Sequence, residues 1–453
     1  MEEEFTIPRS HPTYPVLMDH RTRNTATPGT NSLLDKLQRQ TFGYFINEVN
    51  LANGLVLDRT DGAAPSSIAA TGLALAAYSV GVERGFISRA DAVDRVLTCL
   101  RFFWNSPQGT ERDATGYKGF YYHFLDMQTG RRVWNCELSS IDTTFLLAGM
   151  LAAAEYFTRD TSHESEIRTL ANALYARVDW QWMLNDGSTV SHGWKPESGF
   201  IKYRWHGYNE ALLLYILGLG SSTYPLPEQS YTAWTSSYRW RKLYGIELLH
   251  SGSLFTHQMS HIWIDFRGIQ DEFMRGRQSN YFENTRRATE LQREYAIRNP
   301  MGFKGYGERC WGLSASDGPG WLVCTVDGTE RRFYNYVSRG VPFGPDDGTI
   351  APWAVVASLP FAPEIVLPAI EHLDQLHLMD SNPYGFNASF NQTFPADGAG
   401  ASGWTSPGHC GINQGSTVLM IENYQTGLNW SLMRKCPYVV AGLHRAGFEG
   451  GWL

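Results

Sequence analysis

The carboxylates that could do chemistry fall in a few short, aromatic-rich strings. Glu210 follows Trp205-His206-Gly207-Tyr208-Asn209 and precedes the apolar run ALLLYILGLG. A carboxyl among aromatic rings is desolvated, which raises its pKa toward that of a general acid. The start of a helix pulls the other way by favouring the anion, so a capping glutamate is the alternative. Glu137 and Asp142 stand in ELSSID, five positions apart, and do not make a simple same-face helical pair. Asp142 falls where a helix would begin, as a cap or dipole partner or as part of a site. His257, His261 and Asp265 follow an i, i+4, i+8 spacing that places them on one helix face. Two His at i, i+4 can ligate zinc, but the glutamate that the protease pattern needs after the first is Gln258 here. Asp265-Phe266-Arg267 reads as an internal ion pair, so a histidine bonded to a polar ligand or to the core is preferred and no metal is expected. Asp317 lies in WGLSASDGPGW, between Trp311 and Trp321, and suits either sugar binding or a turn. Asp346-Asp347-Gly348 reads the same way, and Asp58, Arg59 and Asp61 either bind hydroxyls or pair with one another. A Walker loop, a GxGxxG after a strand and a GxSxG are all missing from the sequence. The inventory left is that of glycoside hydrolysis: two carboxyl groups with hydroxyl-binding groups around them.

Such residues need elements to bring them together. Six times a small or polar start leads into an apolar run with little charge. The starts are Ser66-Ser67, Ser139 to Thr143, Tyr208-Asn209-Glu210, Thr256-His257-Gln258, Thr349-Ile350, and Ile412 to Gly415. Ser, Thr, Asp and Asn there are helix-cap chemistry. Helices apolar nearly all round are buried on every side. Amphipathic stretches lie between them, at 31–49, 89–104, 163–183 and 283–298. Six buried helices alternating with outer ones predict an all-α (α/α)6 barrel with long loops. Alternation points the buried helices the same way, so their N-termini gather at one end. The clearest hairpin is Gly119–Trp134, turning at Gln128-Thr129-Gly130. Residues 1–30 read as a polar, Pro-rich N-terminal arm and 31–453 as a single catalytic domain, since no linker run interrupts them.

Composition narrows the classes. Charged residues are only 18% and aromatics 13%, too apolar a chain for disorder. A net charge of −7 argues against nucleic-acid and anionic-membrane partners. The six cysteines form no CxxC or CxH pattern. There is no run of about 20 apolar residues for a membrane span. The start MEEEFTIPRSHPTYP lacks the basic and apolar regions of a signal peptide. The expectation is a cytoplasmic protein, or a secreted or periplasmic one if an export signal has been removed.

Seven strings also carry a family likeness. GFYYHFLDMQTGRR, ELSSIDTTFLLAG, WHGYNEALLLYILGLGS, FTHQMSHIWIDFRG, YGERCWGLSASDGP, DDGTIAPWAVVASLPFAPE and GINQGSTVLMIENYQTGLNW run in order from about Asp58 to Gly447. Together they resemble the glycoamylase-like domain of bacterial β-1,2-glucanases, related to a domain of cyclic β-1,2-glucan synthases. The resemblance implies an (α/α)6 barrel without a cofactor, hydrolysing β-1,2-glucan or a close β-glucan, oligosaccharide or polysaccharide, with inversion. It makes Glu210 the proton donor and leaves the base among Asp142, Glu137 and then Asp317. The family string Ile-Asp-Gln-Gly is Ile412-Asn413-Gln414-Gly415 here, and asparagine cannot be a carboxylate base. A transglycosylase, or a noncatalytic glycan-binding barrel, is therefore carried as the alternative. The expected site has Glu210, Asp142 and Glu137 as catalytic groups. Trp205, Trp311, Trp321, Trp353 and Trp404 would stack on sugar rings, and Arg59, His257, Arg267 and Gln414 would bind hydroxyls. Asp58, Tyr208, Asp317 and Asn413 complete the expected sugar contacts.

Overall fold

The computed structural model describes residues 28–380, 382–396 and 400–453. The expected arm lies outside the described residues up to position 27. The first helix, α1, begins at Pro28 and runs to Phe42.

The chain is helix-rich with small sheets. The strings apolar on all sides form α2 (Ile68–Glu83), α4 (Ser140–Tyr156), α6 (Ala211–Gly220), α7 (Leu254–Gln258), α9 (Pro352–Ala357) and α11 (Gly411–Gln425). In α2 every residue from Ile68 to Gly81 is buried, and in α6 every residue is. A helix with no polar face must be covered all round. These helices contact one another in a closed circuit, α2 to α4 to α6 to the turn after α7, then α7 to α9 to α11 and back to α2. The two glycines Gly72 and Gly149 let α2 and α4 meet backbone to backbone. A Cβ on Gly149 would lie 1.9 Å from the Gly72 carbonyl oxygen.

The amphipathic strings form α1, α3 (Arg89–Asn105), α5 (Ser162–Ala176) and α8 (Tyr281–Arg298), and two further outer helices are α10 (Pro363–Gln375) and α12 (Pro437–Arg445). Each clads one helix of the circuit: α3 on α2, α5 on α4, α8 on α7, α10 on α9, and α1 on α11. The strict alternation expected from sequence breaks once. Inner helices α6 and α7 follow each other without a long outer helix between them, and the cladding of α6 comes from α12. A Cβ on Gly442 of α12 would lie 1.9 Å from the Ile216 carbonyl oxygen, so this contact too is backbone on backbone.

Helix starts differ in detail from the cap reading. The Ser67 and Ser139 hydroxyls accept from Ala70 N and Asp142 N, as expected. At α6, α7, α9 and α11 the N-cap residue's own side chain makes no capping bond, and at α6 and α7 other side chains accept instead, Ser260 Oγ from Leu213 N and Ser314 Oγ from Phe255 N. The fourth inner helix begins at Leu254, not at Thr256, and tightens into a 3₁₀ turn over Met259–Ile262. His257, His261 and Asp265 therefore do not line one continuous α-helical face.

The main sheet is antiparallel, in the order Gly116–Tyr117, Phe120–Tyr122, Leu138–Ser139, Gly193–Lys195, Gly199–Phe200. The expected hairpin turns as read, with Gly130 N bonded to Asp126 O, but its arms are unequal. Leu125 faces Arg132, while Tyr122 faces Leu138. The second arm spends six positions where the first spends three. The surplus bulges at Trp134 and Asn135, both at positive φ (56° and 48°).

Candidate active site

The N-terminal turns of all six inner helices line one cavity of about 530 Å³. Ser67 comes from α2, Asp142 from α4, Glu210 from α6, Phe255 from α7, Trp353 from α9 and Asn413 from α11. Asp58 and Arg59, His123 and Phe124, Trp134 and Tyr336 complete its walls. A second cavity of similar volume, beside α3, gathers Asp91, Asp94 and Arg95 among mainly aliphatic side chains. Its single aromatic wall is Phe86.

Glu210 holds the N-cap position of α6 but does not cap it; Asn209 Oδ1 accepts from Ala211 N instead. The glutamate is thus released to the cavity, and its carbonyl takes the Ser260 hydroxyl at 3.1 Å. Burial pushes its carboxyl up to about 7, its own backbone N–H pulls it down, and the nearby Asp142 raises it further. Desolvation outweighs the helix start, and the group is poised to hold a proton near neutrality.

Asp142 is fixed from two sides. Ser139 Oγ donates to its Oδ2 at 2.5 Å, and His123 Nε2 lies 3.6 Å from its Oδ1. The other ring nitrogen of His123, Nδ1, is 2.9 Å from Glu137 Oε1. Burial pushes the His123 imidazole down, but Asp142, Glu137 and Asp58 outweigh it and raise it to about 9. Burial would raise Glu137, but the bond and charge of His123 hold it at about 2. Glu137 therefore stands behind His123 and does not line the cavity. Arg59 sits among carboxylates, 3.3 Å from Asp317 and 3.6 Å from both Asp58 and Asp61. Burial raises the Asp58 and Asp317 carboxyls, and Arg59 pulls both back.

Of the residues expected from sequence, Glu210, Asp142, Asp58, Arg59, Trp353 and Asn413 line the cavity, and Glu137 and Asp317 stand one contact behind it. The others are placed elsewhere. Trp205 stacks on His192 and donates to Ser140 Oγ at 3.0 Å, so it supports the start of α4. Tyr208 stacks on Tyr281 in the core, and its neighbour His257 is buried against the Ser251 carbonyl. Arg267 is taken by Asp265, which also pairs with Arg434. Trp311 is fully buried. Trp404 is in a two-stranded pair with Phe390–Asn391, and Gln414 Nε2 is bonded to His409 Nδ1. Asp347 forms a fully buried ion pair with Arg339, and Asp346 accepts from Tyr295 and Tyr306 hydroxyls. Aromatic type and a nearby carboxylate did not separate cavity walls from core packing.

Sequence reading missed His123, Phe124, Trp134, Phe255 and Tyr336. The signal for His123 was strand pairing, since its N–H bonds the Glu137 carbonyl across the hairpin. Among the described residues, His123, Glu137 and Asp142 also form a group whose ligand atoms lie within 4.8 Å of one another. The carboxylates address different ring nitrogens, so the ring's own protons can meet both without a metal ion.

The family model Glycoamylase, described as "Putative glucoamylase", matches residues 202–437. A crystal structure from Bacteroides uniformis with the same description is 32% identical, with a TM-score of 0.82, over 94% of this chain and 100% of that one. This chain belongs to the glycoamylase family. The chain is also similar to the endo-β-1,2-glucanase of Chitinophaga pinensis, solved with sophorotriose and glucose. The identity is 27% and the TM-score 0.79, over 94% of this chain and 99% of that one. A curated relative is the exo β-1,2-glucooligosaccharide sophorohydrolase (non-reducing end) of Parabacteroides distasonis, 29% identical over 93% of this chain. This chain spans 58% of that relative's length.

Proposed function

We propose that this chain is a glycoside hydrolase acting on β-1,2-glucan, built as an (α/α)6 barrel over residues 31–453. The observation that carries the reading is Glu210. It is an uncapped carboxyl at the head of an apolar helix, held near pKa 7, and it shares an aromatic-walled cavity with Asp142. The names of the similar glucanases supply the linkage. The closed circuit of six clad inner helices supports the barrel.

In the proposed reaction, Glu210 gives its proton to the glycosidic oxygen as the bond to C1 breaks. Water adds to C1 from the opposite face, and Asp142 takes its proton, so the anomer inverts. Glu210 ends as the anion and Asp142 as the acid, and solvent restores both. Arg59, with Asp58 and Asp317, presents a charged rim for hydroxyls, while Trp134, Tyr336 and Trp353 offer ring faces. A product screen with linear β-1,2-glucan beside β-1,3-, β-1,4- and α-glucans tests the substrate, and NMR of the first anomer released tests the outcome. Turnover confined to another linkage would overturn the reading.

One feature favours a second reading. Asn413 lies on the cavity wall and brings no carboxylate there. A transglycosylase would leave the number of reducing ends constant while chain lengths change; a hydrolase would raise it with time.

A further inference from the structure

We propose that His123 is a positioning residue, a doubly protonated ring clamped between Glu137 and Asp142 that holds the Asp142 carboxylate in place on the cavity wall it shares with Glu210. The inference rests on the reading of function above and deepens it. Two carboxylates address the two nitrogens of one ring, Glu137 at 2.9 Å and Asp142 at 3.6 Å. An ionised carboxylate only accepts hydrogen bonds, and a neutral imidazole has one N–H to give. A neutral ring would leave one nitrogen lone pair facing a carboxylate oxygen. The imidazolium donates to Glu137, turns its second N–H toward Asp142 at ion-pair distance, and cancels one of their charges.

The setting keeps the ring where it is. The backbone of the strand pair carries it, through His123 N–H to Glu137 O at 3.0 Å, and Ile68 N bonds the His123 carbonyl at the start of α2. Phe124 stacks on its face, with centroids 3.9 Å apart and planes 12° apart. The charged groups that bear on it are Glu137 from the opposite strand, Asp142 from α4 and Asp58 from the segment before α2. Lys195, on the next strand, adds its pull to Glu137. Two negative charges therefore press on the ring from the cavity side and one from behind.

The arrangement fixes a carboxylate beside the acid. The ring holds Asp142 Oδ1 from one side while the Ser139 hydroxyl holds Oδ2 from the other. The Asp142 charge then adds to desolvation in keeping Glu210 protonated. One ring on the cavity wall thus positions the carboxylate whose charge bears on the acid. No motif announced it, because the ring comes from the bend between Phe120–Tyr122 and Phe124–Leu125 while the carboxylates it faces come from a helix start and a bulged hairpin arm.

The test has two readouts. In protein labelled with [15N]histidine, long-range 1H–15N spectra show the ring state, with His123→Gln assigning the signal. The expected result is an imidazolium that persists through pH 8 and titrates at about 9. The second readout is the pH–rate profile. In His123→Gln the acidic limb should move toward neutrality by about 1–3 pH units, the effect of losing one close opposite charge. KM should stay within about threefold while kcat at pH 6 falls about tenfold or more. His123→Lys, which restores the charge, should bring the limb back. A His123 ring that titrates near its ordinary value, or that lacks one proton as a bound metal ion would leave it, overturns the clamp. So does a His123→Gln profile that drops without moving, or a His123→Lys profile that stays with it. If the wild-type protein turns over no glucan, the functional reading fails, and the NMR readout still decides the clamp.

Discussion

Replacing Glu210 by Gln should cut turnover at least about 10³-fold and stabilise the protein, the second effect growing in as pH rises from about 4.5 to 7. The folded-state pKa of Glu210 is about 7, above its ordinary 4.5. Between those values the folded chain keeps a proton that the unfolded chain has released. Stability contributed by this group is therefore full below about 4.5 and is lost as pH rises through about 7. The gap corresponds to at most about 3 kcal/mol, and the opening of the cavity to solvent brings about 1–2 kcal/mol into range. Glutamine keeps the shape without the charge and does not lose that stability. The assay is urea unfolding of wild type and Glu210→Gln at pH 4.5 and pH 8. The variant should gain by about 1–2 kcal/mol at pH 8 over its difference at pH 4.5. Activity supplies the counterpart, with a loss of at least about 10³-fold in kcat for the variant. In the wild type, about 90% of Glu210 is protonated at pH 6 and about 10% at pH 8, so the basic limb should bend near 7. A stability difference identical at both pH values, or a limb already falling steadily from pH 5, would refute the desolvated-acid argument.

Other perturbations probe the walls and the frame. Trp134→Ala removes an exposed ring at the cavity edge and should raise KM for β-1,2-glucooligosaccharides about 2- to 10-fold with kcat nearly unchanged, measured by initial rates. Asn413→Asp adds a carboxylate to the wall and should raise reducing-end release relative to transfer by about tenfold, read by product profiles over time. Arg339→Met strands the buried Asp347, which Arg339 holds through bonds of 2.7 and 2.8 Å. A loss of about 3–5 kcal/mol by urea unfolding is expected.

The fold was legible where burial is all-round. Strings such as IAATGLALAAYSV and ALLLYILGLG announce helices with no solvent face, and their polar starts correctly pointed to one end. What the pattern could not reveal was the order of cladding, because an amphipathic stripe such as that of α12 states that it has a partner and not which one. In the site, Glu210, Asp142, Arg59, Asp58, Trp353 and Asn413 sit at or just before helix starts, where sequence position and spatial position coincide. The residues placed away from the cavity wall share a different trait. Trp205, Tyr208, His257 and Trp311 lie within a few positions of a site residue, yet side chains one or two steps along a turn point to other neighbours. His123, Trp134 and Tyr336 arrive through strand pairing and loops, which periodicity does not encode. The bulge at Trp134 alone shifts Glu137 into register with His123.

The late cladding of α6 carries a cost during synthesis. Arg445 of α12 bonds the Leu219 carbonyl of α6 across 226 positions of chain. A ribosome adding about 5–20 residues per second needs roughly 10–45 s to cover that span. Throughout that interval the acid-bearing helix is already out, with Leu and Ile on a flank that has nothing to lie against. Nascent chains of this protein should therefore be clients for a hydrophobe-binding chaperone during that window. A message truncated before Pro437 should yield an insoluble product in which the segment holding Glu210 never settles into place.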